Sequence, residues 1–156
     1  MSIEKVRKYF ARLGIEDRII EFSTSSATVA LAAVAAGCEE ARICKTLSFM
    51  GKEGPLLILA AGDVKIDNHK YKEEFGVKAK MLTAEQAETL IGHAVGGICP
   101  FGINDGVTVY LDASMKRFVT MFPACGSSNS AIELTIEELE KYSGFRSWVN
   151  VCKGYQ

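Results

Sequence analysis

Lys45 breaks an apolar run, following Ile43-Cys44 and preceding Thr46-Leu47. An ammonium without a partner is costly to bury in such a context. A bound anion would offset that cost, whereas a strand lysine turned to water or paired with a carboxylate would avoid it. Spacing alone leaves both open. The second unusual segment is Gly96-Gly97-Ile98-Cys99-Pro100-Phe101-Gly102, where three glycines and a proline interrupt a chain otherwise rich in side chains. Its backbone has to turn sharply and can be approached closely. Exposed amide N–H groups in such a loop suit a carbonyl oxygen, a carboxylate or a phosphate, although a purely structural turn needs no ligand. The segment is neither a P-loop nor a dinucleotide fingerprint. The third, Cys125-Gly126-Ser127-Ser128-Asn129-Ser130, gathers a thiol, hydroxyls and an amide. It either lines a small polar pocket or closes on itself through hydrogen bonds.

Five cysteines, at positions 38, 44, 99, 125 and 152, are odd in number and widely spaced. They make neither a complete disulfide framework nor a C-x-x-C metal or redox motif, so reduced thiols are the simple reading. Cys99 and Cys125 are candidate nucleophiles. The two histidines, His69 and His93, fall in no recognised catalytic motif, so thiol chemistry has only the cysteines themselves to support it.

These groups need a scaffold. Ser2 is placed to cap a helix in which Ile3, Val6, Phe10 and Leu13 recur at near-helical spacing, with Gly14 as its exit. Ser25 or Ser26 precedes residues 27–36, small and apolar on nearly every face up to Gly37, which predicts a deeply packed helix. Residues 43–50 and 55–61 flank Gly51-Lys52-Glu53-Gly54 as the strands of a hairpin, with Lys45 near the start of the first. Asp67 or Asn68 opens a polar helix through Phe75 that ends at Gly76, and Thr83 with Gln86 makes a capping box for a helix reaching Ile91. Both are expected on the outside. Strands at 107–112 and 118–122 are separated by a turn containing Lys116 and Arg117, and a further strand spans 131–134. Thr135 and Glu138 form a second capping box for a last helix whose inner side is Ile136, Leu139 and Tyr142, before Gly144. With no repeat, low-complexity segment or linker, the pattern is mixed α and β in one domain covering 1–156.

A length of 156 residues with 48% hydrophobic content suffices for one globular core. The longest apolar stretches, 27–37 and 55–61, fall short of a bilayer span, and the N-terminal residues lack a signal-peptide core. A soluble, cytoplasmic protein with no membrane partner is expected. The net charge of −1 excludes a globally basic nucleic-acid coat. Between Arg42 and Lys80, however, eight Lys/Arg face five Asp/Glu, a surplus suited to a partner that presents only a few phosphates.

Taken in order, Lys45-Thr46-Leu47, Ala61-Gly62-Asp63-Val64-Lys65-Ile66-Asp67, residues 96–102 and the Cys125–Asn129 turn resemble the YbaK/EbsC family of the prolyl-tRNA synthetase editing superfamily. The likeness covers nearly the whole chain and rests on the ordered combination, each motif being loose by itself. It implies an α+β domain built on a mixed, partly barrel-like β-sheet surrounded by helices. It also implies an aminoacyl-tRNA deacylase, which hydrolyses the ester joining a wrong amino acid to a tRNA and needs no metal or cofactor. Lys45 would be the family's functional lysine, placing charge and orienting substrate rather than acting as nucleophile. Gly96-Gly97-Ile98-Cys99-Pro100 matches the family's GxxxP element, whose backbone contacts the aminoacyl group, and Phe101 and Gly102 continue it. Thr46, Cys125, Gly126, Ser127 and Asn129 would border the amino-acid pocket.

Cys125 stands where relatives carry serine or histidine, and Cys99 where serine or threonine is frequent. Both departures leave the edited amino acid open among alanine, serine and cysteine. A missing methylene changes discrimination only modestly, so synthetases that misactivate small amino acids need a second hydrolytic check. The implied partners are the acceptor end of an aminoacyl-tRNA, for proline or for cysteine, and prolyl- or cysteinyl-tRNA synthetase. Lys65, Lys70, Lys72, Lys78 and Lys80 are candidates to hold acceptor-stem phosphates. Two alternatives stand beside this one: a non-catalytic module of the same fold that holds tRNA or a synthetase, and a thiol-dependent enzyme centred on Cys99 or Cys125.

Overall fold

The most apolar stretch of the chain, Leu56 to Ala61, is buried along its whole length, which is the signature of a strand covered on both faces. In the computed structural model, which describes residues 2–154 without the side chain of Ser2, it sits at the middle of the sheet. The Ser2 cap lies outside the described residues. The helices are α1 (Ser2–Arg12), α2 (Val29–Ala36), α3 (Asn68–Phe75), α4 (Ala84–Gln86, continued by a π turn over Ala87–Ile91) and α5 (Ile136–Ser143). The longer strands are β2 (Ile43–Gly51), β3 (Gly54–Ala61), β5 (Thr108–Asp112), β6 (Thr120–Pro123) and β9 (Ser147–Val149). Five two-residue strands, β1 (Ile20–Glu21), β4 (Lys65–Ile66), β7 (Ser130–Ala131), β8 (Leu134–Thr135) and β10 (Cys152–Lys153), complete the set.

Six of these form a mixed, curled sheet in the order β8-β6-β2-β3-β5-β9. β2 and β3 are the expected hairpin, in register from Cys44 opposite Ala61 to Gly51 opposite Gly54. β6 lies parallel to β2, and β5 and β9 run parallel to their neighbours. The small pairs β1–β7 and β4–β10 are antiparallel. α1 packs as its periodicity requires: Val6 and Phe10 are fully buried, and Phe10 meets Phe101 at 4.7 Å between ring centroids. α3 starts at Asp67, whose carboxylate accepts from the N–H groups of His69 and Lys70. It is an outer helix anchored by one buried ring, Tyr71, against Phe49 and Phe75. Both capping boxes form as expected, at Thr83/Gln86 and Thr135/Glu138.

α2 departs from expectation twice. Its cap is Thr28, which accepts from Leu31 N–H at 3.2 Å, rather than Ser25 or Ser26. It is also shallow: Ala32 and Ala33 are buried over Ile43 and Phe122, while Val34 is 83% exposed. An apolar residue at every position carries no information on which face is inner. β6 begins two residues later than expected because residues 113–117 close a 3₁₀ turn, held by the Asp112 carboxylate accepting from Ser114 N–H at 2.9 Å. The other oxygen of that fully buried carboxylate accepts from Val151 N–H at 2.9 Å, which ties the last strands to the sheet. The strand expected over 131–134 splits into β7 and β8, which pair with β1 and β6 respectively.

At the end of α5, Arg18 reaches Glu138 through bonds of 2.6 and 3.1 Å. The Arg18 guanidinium is the main reason the Glu138 carboxyl falls from its ordinary 4.5 to about 2. A carboxyl depressed in the folded state contributes stability that is fully present above pH 4.5 and lost as pH falls through about 2. Because the pair is solvated, that contribution is below about 1 kcal/mol. In urea unfolding, Arg18→Ala should therefore be slightly less stable than the native protein at neutral pH, with the difference vanishing near pH 2.

Candidate active site

The outer edge of β2 is paired at its two ends and bare in the middle. β6 takes Ile43 and Cys44. Residues 80–82 take the far end, where Met50 N–H donates to the Lys80 carbonyl at 2.9 Å and Leu82 N–H to the Ser48 carbonyl at 3.1 Å. Between them, among the described residues, Lys45, Thr46 and Leu47 have a strand partner only in β3. A cavity of about 270 Å³ opens on this bare stretch. The approach to α2 (Ala27, Val29) forms one wall, Gly96 and Ile98 another, and Met81 stands at the mouth.

Lys45 lines the cavity half-buried, and its Nζ donates to the carbonyl of Val64. Burial lowers its pKa, opposed by the carboxylate of Asp63. Asp63 is itself gripped by Arg117 through two bonds of 2.9 and 2.6 Å, which hold its carboxyl below the usual range. Thr46, the next residue, also lines the cavity, and its Oγ1 is buried without a hydrogen-bond partner among the described residues. Leaving such a hydroxyl unpaired costs about 1–3 kcal/mol.

The glycine loop and the polar turn meet backbone to backbone. A Cβ on Gly97 would lie 2.6 Å from both the Gly126 carbonyl carbon and the Ser127 nitrogen. Gly96, with φ of +97°, faces Ala27 and Ser128. The turn is bonded in its own right to the segment before α2. Ser26 N–H donates to the Ser128 carbonyl at 2.6 Å, Phe22 N–H to the Asn129 carbonyl at 2.7 Å, and the Asn129 side chain returns a bond to the Phe22 carbonyl at 3.1 Å. Ser127 donates to Asn129 Oδ1 at 3.1 Å. Asn129 and Ser127 thus build the wall that Ser26, Ser130 and Ala131 present to the cavity.

Among the residues singled out from sequence, Lys45, Thr46, Gly96 and Ile98 come together at the cavity. Others do not. Phe101 is fully buried against Phe10 and Tyr9. Pro100 and Gly102 line a separate depression of about 530 Å³ beside Lys5 and Arg12. Cys99 and Cys125 are fully buried and outside the cavity lining. Burial raises the Cys99 thiol to about 12 and the Cys125 thiol well above its usual range. His93 Nε2 lies 3.6 Å from Cys99 Sγ, but it donates to the Phe101 carbonyl at 2.7 Å and so carries its proton rather than a lone pair toward the sulfur. No activated Cys–His pair results. Among the described residues, no group of three or more His, Cys, Asp or Glu is placed to hold a metal ion, and no helix is long and apolar enough to cross a membrane.

The lysines divide into two groups. Lys65 on β4 faces Lys153 of β10 directly across the ladder, and Lys70 donates to the Cys152 carbonyl at 3.0 Å, all next to the Val64 carbonyl that holds Lys45. Lys72 and Lys78 border a different cleft, with Asn68 and His69. Lys153, Met81 and Ser26 were not among the site residues expected. β10 is two residues long with no periodicity to announce it, while Ser26 reads only as a helix cap.

An open strand edge, a half-buried lysine and a bare peptide loop surround one small cavity, which defines the protein as an α+β domain with a pocket at the edge of a mixed half-barrel. The comparisons with known proteins agree with that class. The family model for the aminoacyl-tRNA editing domain matches residues 24–142, and the chain belongs to that family. It is 50% identical over the full length of both chains to YwhH of Bacillus subtilis (strain 168), itself uncharacterized. It is 26% identical to a proline--tRNA ligase of Limosilactobacillus fermentum, matching 77% of this chain and 23% of that protein, so it spans about a quarter of the synthetase. A crystal structure reported as a candidate trans-editing enzyme for prolyl-tRNA synthetase superposes with a TM-score of 0.87 at 28% identity, covering 98% of each chain.

The contact at Gly97 makes the wall of the cavity a backbone-on-backbone joint. Gly97→Ala should lower stability by about 1–3 kcal/mol through overpacking, read as a fall in thermal midpoint. A melting curve identical to that of the native protein would show that the two loops separate without cost.

Proposed function

We propose that the protein is a trans-editing aminoacyl-tRNA deacylase, acting as one domain over 1–156. It releases a small amino acid, of the alanine, serine or cysteine class, from the 3′ end of a wrongly charged tRNA. The observation that carries this reading is that Lys45 of β2 and Gly96 and Ile98 of the glycine loop line the same small cavity. Membership in the editing-domain family supports it, and the prolyl relatives favour tRNA for proline and prolyl-tRNA synthetase over the cysteine system.

The chemistry asks little of the chain. Main-chain N–H groups of the glycine loop polarise the ester carbonyl, and water attacks the carbonyl carbon, with a group of the substrate placed to take its proton. The bond between the acyl carbon and the ribose oxygen breaks, that oxygen takes one proton of the water, and the amino acid leaves as a free carboxylate while the second proton passes to solvent. Lys45, held by the Val64 carbonyl, supplies a fixed positive charge near the 3′ end and orients it. No thiol takes part, since burial keeps Cys99 and Cys125 protonated and outside the cavity lining, and keeps Cys44, which borders the cavity, protonated as well. Lys65, Lys70 and Lys153 extend positive charge outward from Lys45. Like charges directly opposite on paired strands repel, and a phosphate between Lys65 and Lys153 relieves that repulsion. Lys72 and Lys78, which border a separate cleft, and Lys80 are assigned to phosphates deeper in the acceptor stem.

Release of free amino acid from a panel of mischarged tRNAs tests the reading. Lys45→Ala should lose at least about tenfold in kcat/KM, as expected for a charge that acts in the transition state. Rates equal to those of the native protein would reject the role of Lys45, and no release by the native protein from any charged tRNA would leave a binding module. Reversing Lys65 and Lys153 to Glu should impair full tRNA more than a short aminoacyl-adenosine mimic, with a weaker salt dependence. Equal losses on both substrates would argue against phosphate contact.

A further inference from the structure

The bare stretch of β2 has a defined chemistry. Ser48 and Met50 turn their main-chain groups outward, to Leu82 and Lys80. Main-chain direction alternates along a strand, so Thr46, two residues before Ser48, presents its N–H and C=O to the same outer edge. There β6 has already stopped at Cys44 and residues 80–82 have not yet begun to pair. That edge is the floor of the cavity. In an antiparallel ladder, one residue exchanges both of its main-chain hydrogen bonds with the residue opposite. An α-amino acid ester carries the same two groups on one carbon, an amino N–H and a carbonyl oxygen, whereas a plain carboxylic ester carries only the second.

We infer that the aminoacyl group docks as the missing residue of a strand on β2, and that Thr46 selects for a small side chain ending in a hydroxyl. The Thr46 carbonyl accepts from the substrate α-amino group while its N–H donates to the ester carbonyl, the mode of strand addition that proteins use for peptides. Side chains of directly opposed residues stand on the same face of a sheet. The substrate side chain therefore lies beside that of Thr46, whose Oγ1 is buried and unpartnered. A seryl side chain gives this hydroxyl a partner, and an alanyl side chain leaves it without one. The inference rests on the deacylase reading of the cavity and ranks its three small candidates, serine first, cysteine with its weaker S–H donor second, and alanine last.

Binding separates the two claims. Non-hydrolysable 3′-amide analogues of seryl- and alanyl-adenosine, titrated by calorimetry into the native protein, should bind with a preference for seryl of about tenfold, the scale set by one buried hydrogen-bonded hydroxyl. Thr46→Val is close in shape and removes only an unpaired hydroxyl, so its melting temperature should equal or exceed that of the native protein. The seryl-to-alanyl ratio should fall to about one in this variant. Equal affinities in the native protein, or a preference that survives Thr46→Val, would overturn the inference. The same preference in an analogue lacking the α-amino group would overturn the strand-like docking. Preferential seryl binding without hydrolysis of seryl-tRNA would uphold the pocket while rejecting the deacylase.

Discussion

Everything at the candidate site depends on how β2 is held. The hairpin with β3 fixes it along its length, since β3 is buried throughout and cannot shift by one residue without turning its apolar side chains outward. The other edge is secured only at its ends, by β6 and by residues 80–82. A strand fixed on one side and at both termini is rigid where it is bare. The three residues left open, Lys45 to Leu47, are thus displayed in a set geometry without being covered, and unpaired main-chain groups become a recognition surface instead of a hazard for aggregation. The cavity above them is small, and the exposed side chains of Met81 and Val95 border it.

The surrounding loops follow from the same constraint. A cavity on a strand edge needs walls from elements outside the sheet, and these are supplied by the approach to α2 and by the glycine loop. Neither wall contains a long regular element that could hold itself. Each is instead bonded to the 125–130 turn, through Ser26 and Phe22 on one side and the close approach at Gly97 on the other. The turn is therefore a keystone, which explains why Ser127 and Asn129 spend their hydrogen bonds on neighbours and leave the cavity to Ser130 and Ala131.

Much of this was legible in sequence because the informative signals are local. The hairpin, the Asp67 cap, both capping boxes and the inward face of α1 rest on residues within a few positions of one another. Lys45 and the glycine loop announced themselves as breaks in composition, and the order of the motifs identified the editing-domain fold. What stayed hidden was set by partners distant in the chain. The two-residue strands β1, β4, β7, β8 and β10 exist only because something lies opposite them. The inner face of α2 is chosen by Ile43 and Phe122, not by its own uniform sequence. The glycine loop read as one unit, yet the structure divides it: Gly96 and Ile98 line the cavity, Gly97 packs on the backbone of residues 126 and 127, and Phe101 joins the core through an aromatic contact with Phe10.

The thiols carry one last implication. Cys44, Cys99, Cys125 and Cys152 are buried, and burial pushes all four toward the protonated form; Cys38, after α2, is also raised by burial but is partly open to solvent. A maleimide reagent will therefore reach Cys38 before the others in the native fold. That handle lies two residues beyond the helix whose start walls the cavity, so a dye or spin label can be installed there without engineering the other four cysteines away.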